Sequence, residues 1–278
     1  MKNGKIIRII SNLYTVNVDG KNIPCKARGK FRKDKITPLV GDFCEIDEEN
    51  QYIMKIQERK NFLIRPSIAN VDIALIVTSM KKPDFSTNLL DKLISIISLH
   101  KIEPMICFTK IDLLNAKEYQ EFQTIRDYYT SLGYGVFTNE ELADIKQFLN
   151  NKIIVVTGQT GAGKSTLLNR LDNTLKLKTS PISEALNRGV HTTRHTEIYE
   201  IANFYIADTP GFSALDLKDF NKEDIRSTFK EFSKYPCQFK DCNHIKEKNC
   251  GVKEAVSEGK ILESRYNSYQ NFLKEVNQ

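Results

Sequence analysis

Residues 155–166 read "VVTGQTGAGKST", and residues 107–112 read "CFTKID". These two stretches decide the fold. In the first, Gly158, Gly163, Lys164 and Ser165 fit the pattern G-x-x-x-x-G-K-[ST], set between the apolar run "KIIVVT" and the helical run "KSTLLNRL". Glycines there let successive backbone N–H groups turn inward around phosphate oxygens. The loop Gly158, Gln159, Thr160, Gly161, Ala162, Gly163, Lys164, Ser165 and Thr166 is therefore read as a nucleotide-binding loop. Lys164 offers a point charge to the β- and γ-phosphates, and the Ser165 hydroxyl is expected on Mg²⁺.

The second stretch carries Thr109, Lys110, Ile111 and Asp112 at the end of a strand-like run. An Asp carboxylate there accepts two parallel hydrogen bonds from guanine N1–H and the exocyclic N2–H₂. Adenine lacks that donor pair, so the residue specifies GTP over ATP. Lys-x-Asp alone is frequent; its weight comes from lying in the same strand–helix region as the phosphate loop. Most GTP-binding chains visit the phosphate loop first, and this one visits the base reader first. In a parallel sheet, ligand-binding loops all lie at the C-terminal strand ends, whatever the order of visits. Joining the usual ends and cutting elsewhere keeps the pocket intact, because circular permutation is tolerated where termini lie close together at the surface. The sequence implies a circularly permuted GTPase.

Residues 67–216 support this with alternating strand and helix patterns: "VDIALIVTS", "NLLDKLISIISLHK", "EPMICFT", "YQEFQTIRDYYTSLG", "GYGVFT", "EELADIKQFL" and, after the loop, "TEIYEI" and "FYIAD". A doubly wound α/β sheet covered on both faces is expected. Asp208-Thr209-Pro210-Gly211 ends the last strand. Asp208 is placed to hold the Mg²⁺ shell, and the Gly211 N–H to meet the γ-phosphate. Between loop and Asp208, Thr192 and Thr193 are candidates for the switch threonine on Mg²⁺, with Thr193 favoured. Phe212 stands where many GTPases place a water-orienting Gln, and His191 is the nearest side chain able to replace it.

Residues 1–66 read as all-β, about five short strands with an Asp19-Gly20 hairpin turn, suited to a small OB-type barrel. The basic stretch "KARGKFRKDK" reads either as a solvated loop or as an RNA contact through Arg28, Lys30, Arg32 and Lys33, with Phe31 available to stack. Residues 217–278 read as helical and charged. They hold Cys237, Cys242, His244 and Cys250, a set suited to one closed structural Zn²⁺ site, though reduced, unliganded thiols also fit the text. Cys25, Cys44 and Cys107 are scattered through strand-like runs, as core thiols would be.

The 278 residues are 40% hydrophobic and 27% charged, ordinary for a chain with a real core, and the formal net charge of +6 says little about partners by itself. There is no run of about 18 apolar residues and no secretory pattern at the N-terminus, so a cytoplasmic protein is expected.

The strings "GKFR", "ANVD", "FTKID", "GQTGAGKST", "GVHTTR", "DTPGF" and "CQFKDCNH", in this order over nearly the whole chain, resemble the ribosome small subunit-dependent GTPase A family. The resemblance implies GTP hydrolysis to GDP stimulated by the small (30S) ribosomal subunit, contact with its rRNA, and a role in late subunit maturation. It also implies His191 in hydrolysis. No membrane partner and a monomer are expected besides. The alternatives are a GTP-gated rRNA-binding protein with incidental turnover, and a permuted GTPase serving the large subunit. Since Gly211 runs into the C-terminal region through "FSALDLKDF", a γ-phosphate-dependent shift there is expected to move the zinc domain. The family's fifth guanine-contact element should fall near Phe137, Thr138 and Asn139, where its usual residues are not present.

Overall fold

The computed structural model describes residues 1–34, 36–63, 67–173, 175, 196–201, 203–207 and 216–276. Strands β1 (Lys2–Ile10), β2 (Leu13–Val18), β3 (Lys21–Ala27), β4 (Phe43–Asp47) and β5 (Tyr52–Ile56) follow in the order β1-β2-β3-β5-β4, and β4 returns to pair with β1. The alternation of "LYTVNV" places Tyr14, Val16 and Val18 inside the closed barrel. Asp19 (φ 48°) and Gly20 (φ 81°) make the turn from β2 to β3, both left-handed as a tight hairpin of this twist requires.

One expectation is overturned in the barrel. "KARGKFRKDK" is not simply an open loop: Lys30–Lys33 form a single helical turn, α1, and Phe31 is only 7% exposed. It belongs to the barrel's core cluster with Ile6, Cys25 and Ile53, so it is not available to stack on a base. Burying a phenyl group gains about 1.5–3 kcal/mol, and one helical turn lets Phe31 face inward while Lys30 and Lys33 stay in water.

A short hairpin, β6 (Phe62–Leu63) and β7 (Ile68–Ala69), leads out of the barrel. Asn61 secures it, donating to the Val71 carbonyl at 2.8 Å and to the Lys101 carbonyl at 3.0 Å. Asn70 reaches back to the Gly41 carbonyl at 3.0 Å.

The central sheet contains β8 (Ile73–Ser79), β9 (Glu103–Thr109), β10 (Gly135–Thr138), β11 (Ile153–Thr157), β12 (Thr196–Ile201) and β13 (Phe204–Ala207), in the order β10-β9-β8-β11-β13-β12. All neighbours are parallel except β12 and β13. Strand β8 is buried throughout and serves both faces. Ala74 and Ile76 join a cluster with Leu90 and Ile94 of α2 (Thr87–Leu99) and Phe122 and Tyr129 of α3 (Ala116–Ser131). Ile73, Leu75 and Val77 join Ile145 and Leu149 of α4 (Leu142–Leu149) and Leu167 and Leu168 of α5 (Lys164–Leu171). This is the two-sided burial expected of a doubly wound sheet. Strand β12 also pairs with β1 through Arg8↔Glu197 and Ile9↔Thr196, which makes barrel and central sheet continuous.

The C-terminal part contains α6 (Lys222–Ser227), a 3₁₀ turn (Lys230–Lys234), α7 (Gly251–Ser257) and α8 (Glu263–Glu275). Its core of Phe229, Phe232, Val252, Tyr269 and Phe272 packs against Ile96 of α2. Among the described residues no helix is long and apolar enough to cross a membrane.

Candidate functional site

The phosphate loop lies between β11 and α5, as the sequence requires. Gly158 has φ +129°, and a Cβ there would sit 2.0 Å from the Val77 carbonyl oxygen of β8, so neither the backbone angle nor the space admits a side chain. Gly161 (φ +78°) and Gly163 (φ +92°) are also left-handed, which curls the loop onto the N-terminus of α5. Lys164 Nζ donates to the carbonyls of Gly158 and Gln159, both at 2.8 Å. Burial holds its ammonium below the usual lysine range. An anion in the loop would oppose that effect by favouring the charged form. Ser165 is buried in the first turn of α5, while Thr160 and Thr166 are exposed.

The stretch expected to read the base leaves β9 at Thr109 and turns sharply at Lys110, which is left-handed at φ 58°. A 3₁₀ turn, Ile111–Leu113, follows and carries Asp112 exposed in its first turn. Two bonds join this stretch to the phosphate loop. Thr109 Oγ1 donates to the Ala162 carbonyl at 2.6 Å, and Lys110 Nζ to the Gly161 carbonyl at 2.8 Å. Lys110 also donates to the Lys82 carbonyl, a partner the sequence did not disclose. Segments more than 50 residues apart thus meet at the ends of β9 and β11, the two strands that flank β8.

The region of the fifth guanine contact lies alongside. Asn139 N–H donates to the Phe108 carbonyl at 3.0 Å, which sets the end of β10 beside the end of β9. Glu141 accepts from the Thr138 N–H at 2.6 Å. His191, Thr192, Thr193, Asp208, Gly211 and Phe212 lie outside the described residues.

The C-terminal cluster is brought together as expected. The ligand atoms of Cys237, Cys242, His244 and Cys250 all lie within 4.8 Å of one another. His244 Nδ1 is 3.4 Å from both Cys237 Sγ and Cys250 Sγ, and those sulfurs are 3.7 Å apart. A tetrahedral ion held at about 2.3 Å by sulfur and about 2.0 Å by nitrogen would set edges of roughly 3.5–3.8 Å, so three of the donors already stand at such spacings. Burial, helped by Arg226, keeps the His244 imidazole below its ordinary range, favouring the neutral ring that a metal needs. Burial alone would raise the Cys237 thiol, but the Val252 N–H at the start of α7, the neighbouring thiols and the Gly251 N–H bring it down. The set could hold a metal ion.

Supports around the cluster went unread in the sequence. Glu247 accepts from the Asn243 and Ile245 N–H groups at 2.7 and 2.8 Å, closing the turn on either side of His244. Tyr266 donates to the His244 carbonyl, and the Phe232 ring meets the imidazole edge-on with centroids 5.1 Å apart.

The fold and the phosphate loop define a P-loop GTPase of the circularly permuted kind, preceded by a five-stranded barrel and followed by a helical Cys₃His domain. The family described as RsgA GTPase matches residues 56–218, and the RsgA N-terminal domain matches residues 3–53. The chain is 44% identical to "Small ribosomal subunit biogenesis GTPase RsgA 2" of Oceanobacillus iheyensis, over 99% of this chain and 98% of that one. It is 43% identical to "Small ribosomal subunit biogenesis GTPase RsgA" of Latilactobacillus sakei, over 99% and 96%. The structure of YjeQ from Thermotoga maritima superposes with a TM-score of 0.87 at 33% identity, covering 99% of this chain and 98% of that one. YloQ, described as a circularly permuted GTPase, superposes with a TM-score of 0.84 at 37% identity, covering 100% and 95%. This chain belongs to the RsgA GTPase family.

Proposed function

We propose that this protein hydrolyses GTP to GDP and phosphate on the small (30S) ribosomal subunit, late in that subunit's maturation in the cytoplasm. The observation that carries the nucleotide assignment is the pair of bonds from Thr109 and Lys110 to the carbonyls of Ala162 and Gly161. They hold base reader and phosphate loop as one site despite their reversed order in the chain. The partner is supported by relatives of nearly the same length whose names carry the small subunit.

In this reading Asp112 accepts from guanine N1–H and N2–H₂, and Lys164 exchanges the two loop carbonyls for phosphate oxygens. Ser165, Thr193 and Asp208 would hold Mg²⁺, which when bound would supply charge neutralisation for the phosphate oxygens. The Gly211 N–H meets the γ-phosphate, and His191 orients the attacking water because Phe212 cannot. The metal of the Cys₃His cluster is Zn²⁺, one per chain, with a structural role: three thiolates and an imidazole suit that ion. Arg28, Lys30 and Lys33 are exposed on the barrel and supply salt-sensitive contacts to rRNA phosphates; the Arg32 side chain lies outside the described residues. The working unit is a monomer.

Base reading is tested by Asp112→Asn, which replaces two acceptors by a mixed edge better suited to xanthine. Competition should show a swing from GTP toward XTP, and an unchanged GTP preference would remove Asp112 from the site. The partner is tested by particle affinity with GDP and with a non-hydrolysable GTP analogue. Tighter attachment to 30S particles in the analogue state is expected, and equal affinity in both states would discard nucleotide control of attachment.

A further inference from the structure

We infer that Lys81 and Glu118 are positioning residues for guanine recognition, acting through the turn that follows β8. This rests on the reading of Asp112 as the base reader. Lys81 Nζ bonds both carboxylate oxygens of Glu118, at 2.7 and 2.8 Å. Each side chain is about one-third exposed, so the pair sits at the rim of the site and is not fully solvated.

Both partners are tied to the base-reading stretch on their own account. Glu118 stands in the first turn of α3, the helix that begins just after the Asp112 turn, and it caps that helix by accepting from the Asn115 N–H at 2.8 Å. On the other side, Met80 N–H donates to the Thr109 carbonyl at 3.1 Å. The Ser79 hydroxyl donates to the Lys81 carbonyl at 2.7 Å, which fixes the turn locally. The next carbonyl, that of Lys82, accepts from Lys110. A Cβ added at Gly161 would lie 3.6 Å from Pro83, so the same turn also borders the phosphate loop.

Residues 79–83 therefore bracket the base reader. One flank is clamped directly, through Thr109 and Lys110. The other, the start of α3, is tied to this turn by the Lys81–Glu118 pair, while Phe122 further along the helix packs edge-on against Phe108 of β9. Without that pair the stretch keeps its bonds to the phosphate loop through Thr109 and Lys110, but the α3 side of the Asp112 turn is held less firmly. Asp112 is then presented to guanine less precisely, which is where binding energy is lost when a site becomes loose.

The experiment uses the full-length protein with Lys81→Met, Glu118→Gln and the exchange variant Lys81→Glu/Glu118→Lys. Lys81→Met leaves the α3 cap in place. Steady-state hydrolysis should show KM for GTP raised about 2- to 5-fold with kcat unchanged, as loss of a partly exposed ion pair implies. The preference for GTP over XTP should narrow, while inhibition by inorganic tripolyphosphate, which needs only the phosphate loop, should stay at the wild-type level. The exchange variant should recover part of the loss. A wild-type KM in both single variants would overturn the proposal. So would parallel weakening of GTP and tripolyphosphate, which marks general damage to the site. Asp112→Asn, run alongside, separates the two ideas: if it leaves the GTP preference intact, the base-reader assignment fails first.

Discussion

Arg265 Nη1 lies 2.6 Å from Asp91 Oδ1, with both side chains wholly buried. Arg265 belongs to α8 and Asp91 to α2, so this ion pair runs between the C-terminal domain and the central α/β layer. Arg265 Nε also donates to Glu231 at 2.8 Å, and Tyr129 donates to Asp91 at 2.5 Å. Thr228 bonds Ser95 at 2.8 Å beside them. A shift at Gly211 that moved the C-terminal domain would have to carry α2 with it or break these buried bonds.

Replacing Arg265 by Ala should cost about 3–5 kcal/mol, because it leaves Asp91 and Glu231 buried without their cation. Urea unfolding with and without the substitution measures it. A change below about 1 kcal/mol, the value of an exposed pair, would show that the interface opens readily in solution.

Burial pushes the Asp91 carboxyl up, and the pull of Arg265 only partly offsets this. A carboxyl raised on folding holds its proton more tightly than in the unfolded chain, where it titrates near about 3.9. Its contribution is thus fully present below about pH 4 and is lost as pH rises through the folded value. Stability of the wild type relative to Asp91→Asn should therefore fall as pH rises from about 4. A rising difference over that window would mean that Arg265 dominates instead.

Gly158→Ala should weaken binding of a GTP analogue by at least about tenfold, because the new methyl meets the Val77 carbonyl and a left-handed angle is imposed on an L-residue. Equilibrium binding checks this, and near wild-type affinity would show that β8 and the phosphate loop move apart easily.

Elemental analysis of protein purified without chelators should find about one zinc per chain, and strong chelation should unfold α7 and α8 around the largely buried ligand set. A metal-free protein with an intact C-terminal domain would leave Phe232, Tyr269 and Phe272 as sufficient support.

Much of this was legible because the chemistry is local. The phosphate loop, the Asp112 turn and the cysteine cluster are short strings whose residue types leave little choice of conformation. Strand alternation likewise reported the barrel. What escaped reading depends on distance. Asp91 and Arg265 are 174 positions apart, and nothing near either announces the other. Lys81 looks like any surface lysine until α3 brings Glu118 to it. Phe31 misled for a related reason: an aromatic among lysines reads as exposed, yet one helical turn suffices to bury it under the barrel. The pairing of β12 with β1 is also invisible in either strand alone.

The most direct test of the whole account is GTP turnover by the full-length protein alone, with purified 30S particles, and with 50S particles. Intrinsic turnover should be slow, since Phe212 cannot orient water, and it should rise with 30S particles only. His191→Ala should remove roughly 10²–10⁴ of the stimulated rate, as expected for a positioned proton-transfer group. Turnover indifferent to 30S particles, or stimulated equally by 50S particles, would contradict a GTPase whose site is completed by the small subunit.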